Sequence, residues 1–112
     1  MITKKPWGQE EILEQNDKYV LKRITMNKGC KCSLQYHKKK RETIYILSGK
    51  LSLYRGWSAA QNVVSEMYPG TFRTIENGLT HRMEGIEDTV YLEASTPELD
   101  DVIRLEDDYN RV

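Results

Sequence analysis

The chain has 112 residues, 38% apolar and 30% charged, a length and polarity that predict one folded domain over residues 1–112 and argue against disorder. Seventeen Lys plus Arg balance seventeen Asp plus Glu, so no bulk field exists to hold nucleic acid or an anionic membrane, and any charge recognition must be local. No stretch approaches the roughly 20 apolar residues of a membrane span, and no apolar signal core follows the first lysines, so a cytoplasmic location is expected.

In chain order, short alternating runs predict strands over residues 11–14, 18–26, 31–36, 42–48, 50–54, 62–67, 72–75, 81–84 and 89–95. A helix would need apolar residues at three and four spacing over longer windows. Turn residues separate these runs: Asn16-Asp17, Asn27-Lys28-Gly29, Ser48-Gly49, Tyr68-Pro69-Gly70 and Glu76-Asn77-Gly78. Residues 55–62 read as a longer loop. The acidic tail from 98 to 108 contains Val102-Ile103-Arg104-Leu105, either a last strand or a short helix outside the body. Cys30 and Cys32 stand too close in sequence to favour mutual bonding and are expected to be free thiols. Many short strands at regular spacing predict an all-β fold, and a small closed or jelly-roll barrel removes exposed strand edges.

The chain has two histidines. On a strand Gln35 and His37 point to one face, and a turn through the following lysines brings Glu42 back beside them. His81 lies on another predicted strand and completes a set of two imidazole nitrogens and two oxygens, which suits a divalent transition metal. Taken singly, each has an ordinary reading: Gln35 as an exposed strand residue, Glu42 as a partner of nearby lysines, His81 as a hydrogen-bonded strand histidine.

The wider spacing resembles the two motifs of the cupin superfamily. Gly29, Gln35, His37, Glu42 and Gly49 follow the intervals of the first motif, and Gly70, Glu76, Gly78, His81 and Gly85 those of the second. Gln35 replaces the first His, Glu76 a Pro and Gly85 an Asn. Lys5-Pro6-Trp7-Gly8, Lys22-Arg23-Ile24-Thr25, Ser33-Leu34-Gln35-Tyr36-His37, Gly78-Leu79-Thr80-His81-Arg82 and Leu105-Glu106-Asp107-Asp108-Tyr109 resemble the carboxy-terminal cupin domain of type II mannose-6-phosphate isomerases over nearly the whole chain. The resemblance implies a cupin double-stranded β-helix and a metal held through a Gln-x-His pair, a Glu and a later His. These map to Gln35, His37, Glu42 and His81. The ligand types permit zinc, manganese, iron, nickel or cobalt. The implied reaction interconverts mannose 6-phosphate and fructose 6-phosphate.

That reaction needs a proton carrier that is not itself a ligand. Glu76 and Lys22 are the candidates, Glu76 having an ordinary alternative as a surface turn residue. Tyr45 is a candidate for substrate contact if it faces inward. Arg82 matches the family's His-Arg dipeptide, which implies a phosphate-binding or catalytic role, while strand alternation points it away from His81; both readings stay open. The run Lys38-Lys39-Lys40-Arg41 is either a solvated loop or a phosphate clamp at the barrel mouth, with Lys38 and Lys39 as its contacts. Trp7 is expected to pack across a barrel end, and Trp57 to cover the pocket or a subunit contact. The expected partners are a sugar phosphate or nucleotide sugar, a second copy in a homodimer, and a separate nucleotidyltransferase, since type II enzymes usually carry that domain ahead of the cupin. The alternatives are a non-catalytic sugar- or nucleotide-sugar-binding cupin, such as a sensor or accessory subunit, and an iron oxygenase on the same barrel.

Overall fold

A computed structural model describes residues 1–58 and 61–111. Eleven strands form it: β1 (Ile2–Lys5), β2 (Gly8–Gln15), β3 (Val20–Met26), β4 (Leu34–Tyr36), β5 (Glu42–Ser48), β6 (Leu51–Ser58), β7 (Gln61–Met67), β8 (Phe72–Ile75), β9 (Thr80–Gly85), β10 (Thr89–Ser95) and β11 (Ile103–Glu106). They make two antiparallel sheets, one of six strands in the order β1-β2-β3-β10-β5-β8 and one of five in the order β11-β4-β9-β6-β7. This is the double-stranded β-helix that the family resemblance implies.

Alternation decides which side chains meet between the sheets. On β3, Val20, Lys22, Ile24 and Met26 are buried while Arg23 is exposed. On β5, Glu42, Ile44 and Ile46 are buried and Tyr45 and Leu47 exposed. Ile24, Met26, Ile44 and Ile46 join Leu51, Leu53, Met67, Ile75, Met83 and Tyr91 in one core. Trp7 belongs to the same core at 5% exposure, so it packs within the barrel.

The motif glycines serve turns. Gly49 has φ +86° and lies against the next turn, where a Cβ would come 2.2 Å from the Asp88 carbonyl oxygen, so a larger residue is excluded by both conformation and space. Gly78, at φ +84°, donates its N–H to the His37 carbonyl at 2.6 Å, tying the second motif to the first.

Two local expectations change and a third, left open between strand and helix, is decided. The strand predicted over 11–14 runs the length of β2, and β1 pairs with it from Ile2↔Glu11 to Lys5↔Gly8. The loop predicted over 55–62 is largely strand, since β6 continues to Ser58 and β7 resumes at Gln61; Ala59 and Ala60 lie outside the described residues. The tail insert is a strand, β11, paired with β4 at the sheet edge. No helix of the described chain is long and apolar enough to cross a membrane, and Cys30 and Cys32 are free thiols.

Candidate metal centre

His37 follows β4, Glu42 opens β5 and His81 sits on β9. All three are buried, and one ligand atom from each lies within 4.8 Å of the others. Glu42 Oε1 is 3.1 Å from His37 Nε2 and 3.2 Å from His81 Nε2. The imidazole rings stand 5.0 Å apart between centroids, tilted by 49°.

The outer ring nitrogens fix the tautomers. His37 Nδ1–H donates to the Asp101 carbonyl, and His81 Nδ1–H donates to the Leu79 carbonyl at 3.0 Å. With the Nδ1 proton committed in this way, it is the Nε2 atom of each ring that faces Glu42 and is placed to serve as a metal ligand. Three lone-pair donors then face one another. His81 Nε2 and Glu42 Oε2 have no hydrogen-bond partner, a costly state for buried polar atoms. A divalent cation would satisfy this set, which two imidazoles and one carboxylate could hold.

Gln35 is the antiparallel partner of His81, which places both on the inner face of their sheet. Its Oε1 accepts a hydrogen bond from the Ser33 hydroxyl at 2.6 Å and keeps a second lone pair. Gln35 and His37 line a cavity of about 130 Å³, whose wall also carries Lys5, Glu10, Lys22, Lys40, Glu93 and Arg104.

The remaining sequence candidates divide by strand geometry. Lys22 points inward, is buried, and pairs with Glu10 at 3.2 Å. Tyr45 alternates to the outside of β5 and is 43% exposed, so it does not reach the cavity. Glu76 is exposed in the turn before His81, where its carbonyl accepts the Leu79 N–H; its side chain does not line the cavity. Arg82 alternates outward from His81, donates to the Cys32 and Glu106 carbonyls, and faces Glu106 and Asp108, so it pins the tail to the outside of the barrel.

Within the basic run, Lys38 and Lys39 are exposed while Lys40 turns inward. The Asp101 carboxylate accepts the backbone N–H groups of Lys38, Lys39 and Lys40 at 3.0, 2.6 and 2.9 Å. The loop is thus held through its backbone, with the first two side chains outside the cavity.

Sequence reasoning missed two residues. Glu93, on β10, is the antiparallel partner of Lys22 and sits 3.6 Å from Lys40 Nζ. Burial, then the neighbouring Glu42 charge, pushes its pKa up to about 8. Its inward direction was available from the alternation Tyr91, Glu93, Ser95. Arg104 is the partner of Gln35 on β11, a pairing with no local signal because the strands are distant in sequence. Trp57 is 67% exposed and borders a separate hollow with Arg55 and Val63.

With this geometry in view, the comparisons with known proteins become decisive. The family model described as mannose-6-phosphate isomerase C-terminal matches residues 2–107. The chain belongs to this family. A mannose-1-phosphate guanylyltransferase of Salmonella muenchen is 31% identical over 107 residues, covering 91% of this chain and 22% of that protein. The xanthan biosynthesis protein XanB of Xanthomonas campestris pv. campestris is 29% identical over 112 residues, covering 96% and 23%. The chain therefore spans about a fifth of the length of these curated relatives.

Solved structures agree on the fold of this mannose-6-phosphate isomerase C-terminal member. KdgF from Halomonas sp. superposes with TM-score 0.76 at 14% identity, covering 89% of this chain and 90% of that one. The capsular polysaccharide assembling protein CapF from Staphylococcus aureus gives 0.77 at 20% identity, covering 95% and 34%. An oxalate decarboxylase of B. subtilis gives 0.81 at 13% identity, covering 94% and 30%. At such identities the likeness concerns the cupin fold alone.

Proposed function

We propose that the chain is a metal-dependent aldose–ketose isomerase that interconverts mannose 6-phosphate and fructose 6-phosphate. The observation that carries this reading is the convergence of His37 Nε2, His81 Nε2 and Glu42 Oε1 on one buried point, in a chain of the family named for that activity. Gln35 is the fourth ligand in this proposal, joining through the free lone pair of its amide oxygen. Zinc, manganese, iron, nickel and cobalt all suit such a set. When bound, the divalent ion supplies a Lewis acid for the substrate oxygens beside the reacting carbons.

The rest of the chemistry falls to the chain's own residues. Glu42 and His81 have their lone pairs committed as ligands, so the proton moves through another group. Glu93 lines the cavity from β10; its carboxylate takes the proton from C2, next to the C1 carbonyl, and returns it to C1, while the C2 hydroxyl proton passes to the C1 oxygen, so that the carbonyl moves from C1 to C2. Lys40, 3.6 Å away, fixes that carboxyl in place. Lys22 faces the same cavity between Glu10 and Glu93 and is the second proton-carrying candidate. A homodimer and association with a nucleotidyltransferase belong to the same proposal.

The test is direct. Purified protein loaded with each divalent metal in turn is expected to convert mannose 6-phosphate to fructose 6-phosphate. His37→Ala and His81→Ala are expected to lower turnover at least about 100-fold and to reduce bound metal by elemental analysis. Metal-replete wild-type protein with no turnover refutes the isomerase. One second reading keeps the buried cluster and the cavity without turnover: a non-catalytic cupin that binds a sugar or nucleotide sugar. Tight binding of such a ligand without turnover would establish it.

A further inference from the structure

We propose that Arg104 is the seat of the substrate's phosphate group, assisted by Lys5, and that it reaches the phosphate from the same cross-strand rung that carries Gln35 and His81. The assignment rests on the sugar-phosphate reading above and goes beyond it by locating the anion.

Three antiparallel registers define the rung. Arg104 on β11 opposes Gln35 on β4, Gln35 opposes His81 on β9, and His81 opposes Arg55 on β6. Direct partners share a face, so Arg104 and Gln35 point to the same side as the inward His81. Arg55 closes the far end, donates to the Ser65 hydroxyl and borders the separate hollow. Arg104 borders the cavity that Gln35 and His37 also line. Two strand spacings, about 10 Å, separate its backbone from that of His81. An open-chain hexose covers a comparable length between its carbonyl end and its terminal phosphate.

Charge accounting singles out Arg104 and Lys5. Of the cations on the cavity wall, Lys22 is paired with Glu10, Lys40 with Glu42 and Glu93, and Arg111 with Asp107. Arg104 and Lys5 have no ion pair among the described residues, and Arg104 Nε is buried without a hydrogen-bond partner. A buried guanidinium N–H without an acceptor is costly, and its forked donors match a phosphate's oxygens. Lys5 adds a second positive charge from the other sheet, which suits a dianionic monoester. Lys38 and Lys39, the earlier candidates for this role, lie outside the cavity.

The experiment measures binding separately from turnover. Inorganic phosphate, mannose 6-phosphate and neutral mannose are titrated by calorimetry into wild type, Arg104→Ala, Arg104→Lys and Lys5→Met, each with and without metal, and metal content is measured in every sample. Arg104→Ala is expected to lose about 10- to 100-fold in affinity for both phosphates, in metal-free protein as well, with metal content unchanged. Arg104→Lys keeps the charge without the fork and is expected to lose several-fold; it carries the test if the alanine variant folds poorly. Lys5→Met is expected to lose a few-fold. Phosphate affinity unchanged in Arg104→Lys and Arg104→Ala overturns the assignment, as does wild type that binds mannose as tightly as mannose 6-phosphate. Wild type without isomerase turnover, but with Arg104-dependent phosphate affinity, defeats the isomerase and upholds the anion site.

Discussion

Along β5 the inward side chains read Glu42, Ile44, Ile46, and along β9 they read His81, Met83, with none above 3% exposure. The same strands thus line a charged cage at one end of the barrel and an apolar core at the other. At the apolar end burial releases free energy with every methylene group. At the polar end Lys22, Lys40, Glu42 and Glu93 are all under 9% exposed, and withdrawing charges from water costs more than their mutual attraction returns unless each is well paired. The difference teaches that the apolar end stabilises a site that would not assemble alone.

Substitutions at the two ends should separate these roles. The largest effect is expected from Glu93→Gln, which keeps the shape of the cavity and removes the proposed proton carrier: turnover should fall about 100- to 10,000-fold, with metal content intact by elemental analysis. Turnover within a few-fold of wild type would transfer the role to Lys22. Next, Leu53→Ala at the apolar end should cost about 2–5 kcal/mol of stability in denaturant titration, while metal affinity per folded molecule stays unchanged. A parallel loss of metal affinity would show that the two ends are not separable.

The smallest effect belongs to the tail, outside both ends. Arg111 hydrogen-bonds Asp107 through its guanidinium and holds that carboxyl down to about 2, from an ordinary 3.8. A depressed carboxyl stabilises the fold above its unfolded value and loses that contribution as pH falls from near 4 toward 2. Asp107→Asn should therefore cost at most about 1 kcal/mol near neutral pH and flatten the acid limb of the stability curve. An unchanged acid limb by thermal melts would place the acid sensitivity elsewhere.

Much of this was legible from the sequence because β-turns and strand alternation are local. Gly29, Gly49, Gly70 and Gly78 mark the turns, all with positive φ, and the intervals between them carry Gln35, His37, Glu42 and His81. Lys22 could be placed inward because Val20, Ile24 and Met26 share its parity. Pairing between distant strands was not legible. Arg104 reaches Gln35 across a register that skips most of the chain, and the sequence pointed instead to Arg82, whose neighbour His81 faces the opposite way. Charge density misled as well: Lys38 and Lys39 form the most basic run yet stay outside, while Lys40 turns inward.

The Asp101 clasp on the loop after His37 works through main-chain amides, which any residue except proline supplies. The side chains of the two outward lysines are therefore not needed for the geometry that holds the His37, Glu42 and His81 cluster. Replacing them with neutral or acidic residues would repaint the rim of the barrel while leaving the ligand ring in place, so the protein's attraction for anions approaching from solution can drift in evolution independently of its inner chemistry.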